Sequence, residues 1–122
     1  MTVMVAVTDR PEGTAALHAA VTESQRFDTD LVVVNLALRP IDLSAIPADV
    51  PLRVVERNGR GDRDPVTAVL DEISAHDVAR LVIGVRHRTP AGKALLGSIS
   101  QRLLLESPVP VLAVKLGRDG SE

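Results

Sequence analysis

The chain has 122 residues, enough for one hydrophobic core and too few for two. Its 45% apolar and 25% charged residues describe an ordinary globular domain and exclude a disordered chain. With no cysteine and Phe27 as its one aromatic residue, it lacks disulfides, thiolate metal sites, cysteine nucleophiles and the stacking platforms of single-strand nucleic-acid binders.

The apolar runs, such as residues 31–34, fall far short of the roughly 18 residues of a membrane span. Asp9 and Arg10 interrupt the first apolar stretch and no basic region precedes it, so no export signal is expected. The expectation is therefore a cytoplasmic domain over residues 1–116 with a polar tail over 117–122, contacting neither membrane nor nucleic acid. Its core must be built from 18 Val, 15 Leu, 5 Ile and 14 Ala. Valine suits buried strands and alanine suits helices lying close to them, which is the mixture a helix-covered parallel sheet needs.

In chain order, residues 2–8 (TVMVAVT) read as a strand, followed by a loop at Asp9, Arg10, Pro11 and Gly13. Between residues 14 and 27, Ala16, Leu17, Ala20, Val21 and Ser24 recur at helical spacing on a small-residue face. Residues 30–38 (DLVVVNLAL) form a nearly continuous apolar run, a strand buried on both faces. Residues 39–52 hold three prolines and no helical period, so a loop with at most one helical turn is expected there. Arg53, Val54 and Val55 form a weak third strand, and residues 59–64 (GRGDRD) a polar loop. Asp64 is an N-cap with Pro65 at the first helical position, and Val66, Val69, Leu70 and Ile73 make the apolar stripe that follows. Residues 81–85 are a fourth strand, 86–97 a loop, 98–105 a short helix and 109–114 a fifth strand. This alternation implies right-handed crossovers and an open, doubly wound parallel sheet.

The net charge of −2 conceals an asymmetry: residues 1–77 carry −6 and residues 78–122 carry +4. No acid lies between Asp77 and Glu106, whereas Arg80, Arg86, His87, Arg88, Lys93 and Arg102 do. The stretch is either a solvated basic loop or an anion site. Open α/β sheets bind ligands beyond the carboxyl ends of their strands, which directs attention to residues 8–12, 36–40 and 84–97. In the last of these, Gly97-Ser98-Ile99-Ser100 opens a helix, where free N–H groups and hydroxyls suit phosphate. The alternative is that Gly97 is only a turn residue and Ser98 only a cap. Asp9 suits a ribose hydroxyl or a helix cap equally. The P-loop and nucleophile-elbow patterns are absent, and His18, His76 and His87 fall on separate elements, unlike a metal site.

Gly84-Val85-Arg86-His87, nine further residues, Gly97-Ser98 and then Pro108-Val109-Pro110-Val111-Leu112 resemble the C-terminal signature of the universal stress protein family. The first strand (MVAVTD) and second strand (VVVNL) agree with it. The resemblance implies a five-stranded Rossmann-like sheet of order 3-2-1-4-5 and a homodimer joined through the last strand, at Val109, Val111 and Ala113. One branch of the family binds ATP through G-x2-G-x9-G-S/T and another binds none. On matching positions Asp9 would meet the ribose, Thr8 and Leu36 the adenine, and Gly84, Gly97, Ser98 and Ser100 the phosphates. His87 replaces the second glycine of the signature: its ring either blocks the phosphates or, with Arg86, contacts them. The crossover helix that the family carries between strands two and three has no counterpart in residues 39–52, which should expose apolar surface beside strand three.

The expectation is a stress-response regulatory module holding ATP, with Mg²⁺ as the nucleotide's counter-ion, and performing no committed catalytic step. Two rivals stand beside it: a dimer that binds no nucleotide and acts through an unknown protein partner, and a nucleotide hydrolase using Asp9 or His87 as acid or base.

Overall fold

Residues 1–37, 39–56, 64–86 and 97–115 are described by a computed structural model. His87, Arg88 and Lys93, most of the 59–64 loop and the 117–122 tail lie outside the described residues. The elements run β1 (Thr2–Val7), α1 (Pro11–Arg26), β2 (Asp30–Asn35), β3 (Leu52–Glu56), α2 (Pro65–Ala75), β4 (Val78–Val85), α3 (Ser98–Glu106) and β5 (Val111–Lys115). All pairings are parallel, in the order β3-β2-β1-β4-β5, as expected from the sequence.

Strand periodicity divides the core into two layers. Val3, Val5 and Val7 of β1, Leu31 and Val33 of β2 and Val82 of β4 face α1, where Ala16, Leu17, Ala20 and Val21 meet them. Met4 and Ala6, Val32 and Val34, and Leu81 and Ile83 face the other way, under Val66, Val69 and Ile73 of α2 and Leu103 of α3. Alanines on α1 let its axis approach the sheet, and Pro11 supplies the fixed φ of its first turn. Asp64 caps α2 as expected, its carboxylate accepting from the Thr67 N–H at 3.0 Å. At the far end of α1, Asp28 turns the chain with a φ of 51°, a left-handed conformation that aspartate tolerates.

Residues 39–51 contain no helix, as expected, but they do not leave the sheet bare. Val50 is buried, and Ile41 and Ile46 pack with Val54 against the α1-side core. Among the described residues, the exposed apolar patch expected beside the third strand is therefore reduced to Leu52, 37% exposed. Turns carrying a few apolar anchors cover the area that a helix would otherwise cover.

Candidate functional site

At the carboxyl ends of β1 and β2 lies a cleft of about 630 Å³. Its lining comes from three places: Thr8, Asp9 and Arg10 after β1, Thr14 and His18 on α1, and Ala37, Arg39, Ile41 and Asp42 after β2. The volume falls within the roughly 300–1,000 Å³ of small-molecule sites. Across its mouth the Arg39 guanidinium reaches the Asp9 carbonyl at 3.5 Å. Ser44 donates to the Asp42 carboxylate, and this hydrogen bond holds the Asp42 pKa below the ordinary aspartate value.

Beside this cleft, the sheet's order reverses between β1 and β4, and the starts of two helices converge on Gly84 at the end of β4. From one face α1 comes so close that a Cβ on Gly84 would lie 2.6 Å from the Glu12 carbonyl carbon. From the other face Ser100 donates its hydroxyl to the Gly84 carbonyl at 2.8 Å. Gly84 is thus a glycine because a backbone crosses it. Gly97 differs: it is the N-cap of α3, with φ −65° and ψ 161°, and a Cβ there would meet nothing within 4 Å among the described residues. Neither packing nor backbone strain among those residues calls for its missing side chain, and the first N–H groups of α3 lack intrahelical acceptors. Ser98 is exposed in the first turn of that helix.

Of the residues singled out from the sequence, Thr8 and Asp9 line the cleft, whereas Gly84, Gly97, Ser98 and Ser100 gather at the adjacent helix starts. Leu36 does not join them. It is 6% exposed within the α2-side core, because it continues the face of Val32 and Val34, and Ala37 takes the place at the cleft. Ser100 spends its hydroxyl proton on Gly84 and so fixes α3 to β4. Arg86 is paired with the buried Glu12, Nε to Oε2 at 3.4 Å. His87 lies outside the described residues.

The acid-free stretch is not a uniform basic surface. Arg80 is bonded to Glu23 at 3.0 Å, near the opposite end of the sheet, and its guanidinium lies 5.0 Å from the Phe27 ring centroid. Arg102 contacts Asp64 at 3.2 Å and Glu106 at 3.3 Å, and its bond to Glu106 raises its pKa. The cleft-lining residues Arg10, Thr14, His18 and Arg39 were not read from the sequence as site residues. The positions of Arg10 and Arg39, within the segments that follow the first and second strands, are the signal that pointed there.

The sequence model of the universal stress protein family matches residues 53–115. A universal stress protein of Mycolicibacterium smegmatis (strain ATCC 700084 / mc(2)155) is 35% identical over 93% of this chain and 96% of its own. The chain belongs to the universal stress protein family. Two solved structures share the fold. A universal stress protein in complex with cAMP superposes with a TM-score of 0.64 at 24% identity, over 93% of this chain and 95% of that one. The universal stress protein from Archaeoglobus fulgidus in complex with dAMP gives 0.60 at 21% identity, over 94% and 98%. In this universal stress protein the crossover between β2 and β3 is built of turns and apolar anchors, with no helix. Among its described residues no cluster of His, Asp and Glu could hold a metal ion, and no helix is long and apolar enough to cross a membrane.

Proposed function

We propose that this universal stress protein is a cytoplasmic, homodimeric regulatory module that binds an adenine nucleotide, ATP by its signature, and carries out no committed catalytic step. The observation that carries the reading is the cleft over β1 and β2, together with the start of α3, where a side chain at Gly97 would meet nothing within 4 Å among the described residues. A nucleoside fits the first and an anion suits the second. The dAMP and cAMP complexes of proteins with the same fold support it. In this reading Thr8 and Asp9 flank the nucleoside, and Gly97, Ser98 and the α3 N–H groups hold phosphate. Mg²⁺, when present, is held by the phosphates and water rather than by a cluster of carboxylates.

The test is calorimetry with ATP, AMP and cAMP, together with analysis of nucleotide released on denaturing the purified protein. Binding is expected in the wild type, weaker at high salt, and nearly abolished by Ser98→Asp, which places a negative charge against the anion. His87, standing where the signature has its second glycine, favours a second reading in which the dimer binds no nucleotide and acts through protein contacts. No binding in the wild type and none gained in His87→Gly would establish that reading instead.

A further inference from the structure

The last residue of β2 is Asn35, a polar side chain closing an apolar run and only 1% exposed. Its hydrogen bonds hold the turn that follows and the end of β3. Nδ2 donates to the Arg39 carbonyl at 2.7 Å and to Glu56 Oε1 at 2.9 Å, and Oδ1 accepts from the Ala37 N–H at 2.9 Å. The intervening Leu36 N–H is bonded to the Val7 carbonyl at 2.8 Å, so the turn is pinned to β1 as well. Ala37, Arg39, Pro40 and Ile41 leave this turn as one wall of the cleft.

We propose that Asn35 is a positioning residue for ligand recognition. By holding the Arg39 carbonyl and the Ala37 amide, it sets where the β2-side wall stands, and hence how closely the cleft fits an adenine nucleotide. The affinity part of this proposal rests on the nucleotide reading above. The side-chain chemistry is specific. Two donors and one acceptor on a short, planar group are needed to reach the three partners at once. An aspartate has no donor for the Arg39 carbonyl and brings a second carboxylate against Glu56. An alanine leaves the part-buried Arg39 carbonyl and Ala37 amide without their side-chain partner, and the turn then moves or takes up water in its place. Glu56 ties the same amide to the end of β3, so Asn35 has a structural bond and a wall-setting bond on the same nitrogen.

That division allows the two roles to be separated. Asn35→Ala, Asn35→Asp and the double variant Asn35→Asp/Glu56→Gln are compared with the wild type by amide hydrogen exchange, thermal unfolding and calorimetry with ATP, AMP and cAMP. Asn35→Ala is expected to speed exchange of the Ala37 amide and to weaken AMP and cAMP by roughly tenfold, the scale of one or two lost hydrogen bonds. In the double variant the amide introduced at position 56 donates to the carboxylate at position 35. Much of the Tm lost in Asn35→Asp then returns. Affinity stays low, because the Arg39 carbonyl still lacks a donor. Recovery of affinity together with Tm would reduce Asn35 to a structural tie and overturn the proposal. Wild-type affinity in Asn35→Ala, or an unchanged Ala37 amide, would overturn it equally. If the wild type binds none of ATP, AMP and cAMP, the nucleotide reading has failed, and the exchange of Ala37 by itself upholds or overturns Asn35 as the residue that sets the wall.

Discussion

At the scale of single residues, short polar side chains in this protein fix where elements begin and end. Asn35 closes β2, Ser100 ties α3 to β4, and Asp64 starts α2 by accepting from Thr67. The bond from the Thr67 N–H, first among several contacts, holds the Asp64 pKa below the ordinary value of 3.8. A carboxylate with a depressed pKa stabilises the fold above its unfolded value and loses that contribution as pH falls through the folded one. Asp64→Ala is therefore expected to lower Tm by roughly 3–6 °C at pH 7, the usual scale for a lost cap in a domain of this size. The gap between variant and wild type should close as the pH is taken below 3.8. Thermal scans at pH 7 and in acid check both parts, and a gap that persists in acid would assign the effect to packing.

At the scale of elements, the crossover from β2 to β3 departs from the helix usual between parallel strands. Without a helix it retains turns closed by Ile46 N–H to Leu43 O and by Val50 N–H to Pro47 O. Its burial rests on Ile41, Ile46 and Val50. Such a segment opens locally at far lower cost than a central strand. Amides 42–49 are expected to exchange at least about 100-fold faster than those of 31–34, which lie between β1 and β3. Equal protection of the two segments would mean that the crossover is covered by something further. Because the cleft takes Ile41, Asp42 and Ala45 from this segment, nucleotide should slow its exchange. The loop was legible from its three prolines and its missing helical period. Its role as a lid on the core was not, since Ile41, Ile46 and Val50 show no regular spacing that would announce a shared face.

At the scale of the whole molecule, β3 and β5 are the two edges of the sheet, and among the described residues no strand pairs with the outer side of β5. Val109 and Val111 pack inward against the α3-side core, and Leu112 and Val114 against the α1 side. Ala113 is exposed, and Leu104 and Leu105 on the neighbouring α3 are 44% and 76% exposed. An unpaired edge beside exposed leucines invites a second copy by twofold strand pairing. Ala113→Lys is the variant to make, because it charges the expected contact without entering the core as a change at Val111 would. A dimer in solution scattering that becomes a monomer in Ala113→Lys, with Tm preserved at low concentration, is the expected result. An unchanged dimer mass places the interface elsewhere.

Element types, the sheet order implied by the family signature, the cap at Asp64 and the loop nature of the crossover were all determined by the sequence itself. Each depends on local period, local turn chemistry or a contiguous motif, and these survive being read along a line. Only the tertiary structure decided which charges meet. The stretch from 78 to 105 is free of acids in the chain, yet Arg80, Arg86 and Arg102 each find a carboxylate, on Glu23, Glu12 and Asp64, brought from up to 74 positions away. It likewise decided that Leu36 turns into the core and Ala37 into the cleft, because the pleat of β2 is carried past the end of the strand. Opposite charges and cleft walls are matters of distance between segments, and parallel strands joined by crossovers set those distances through packing that no single segment encodes.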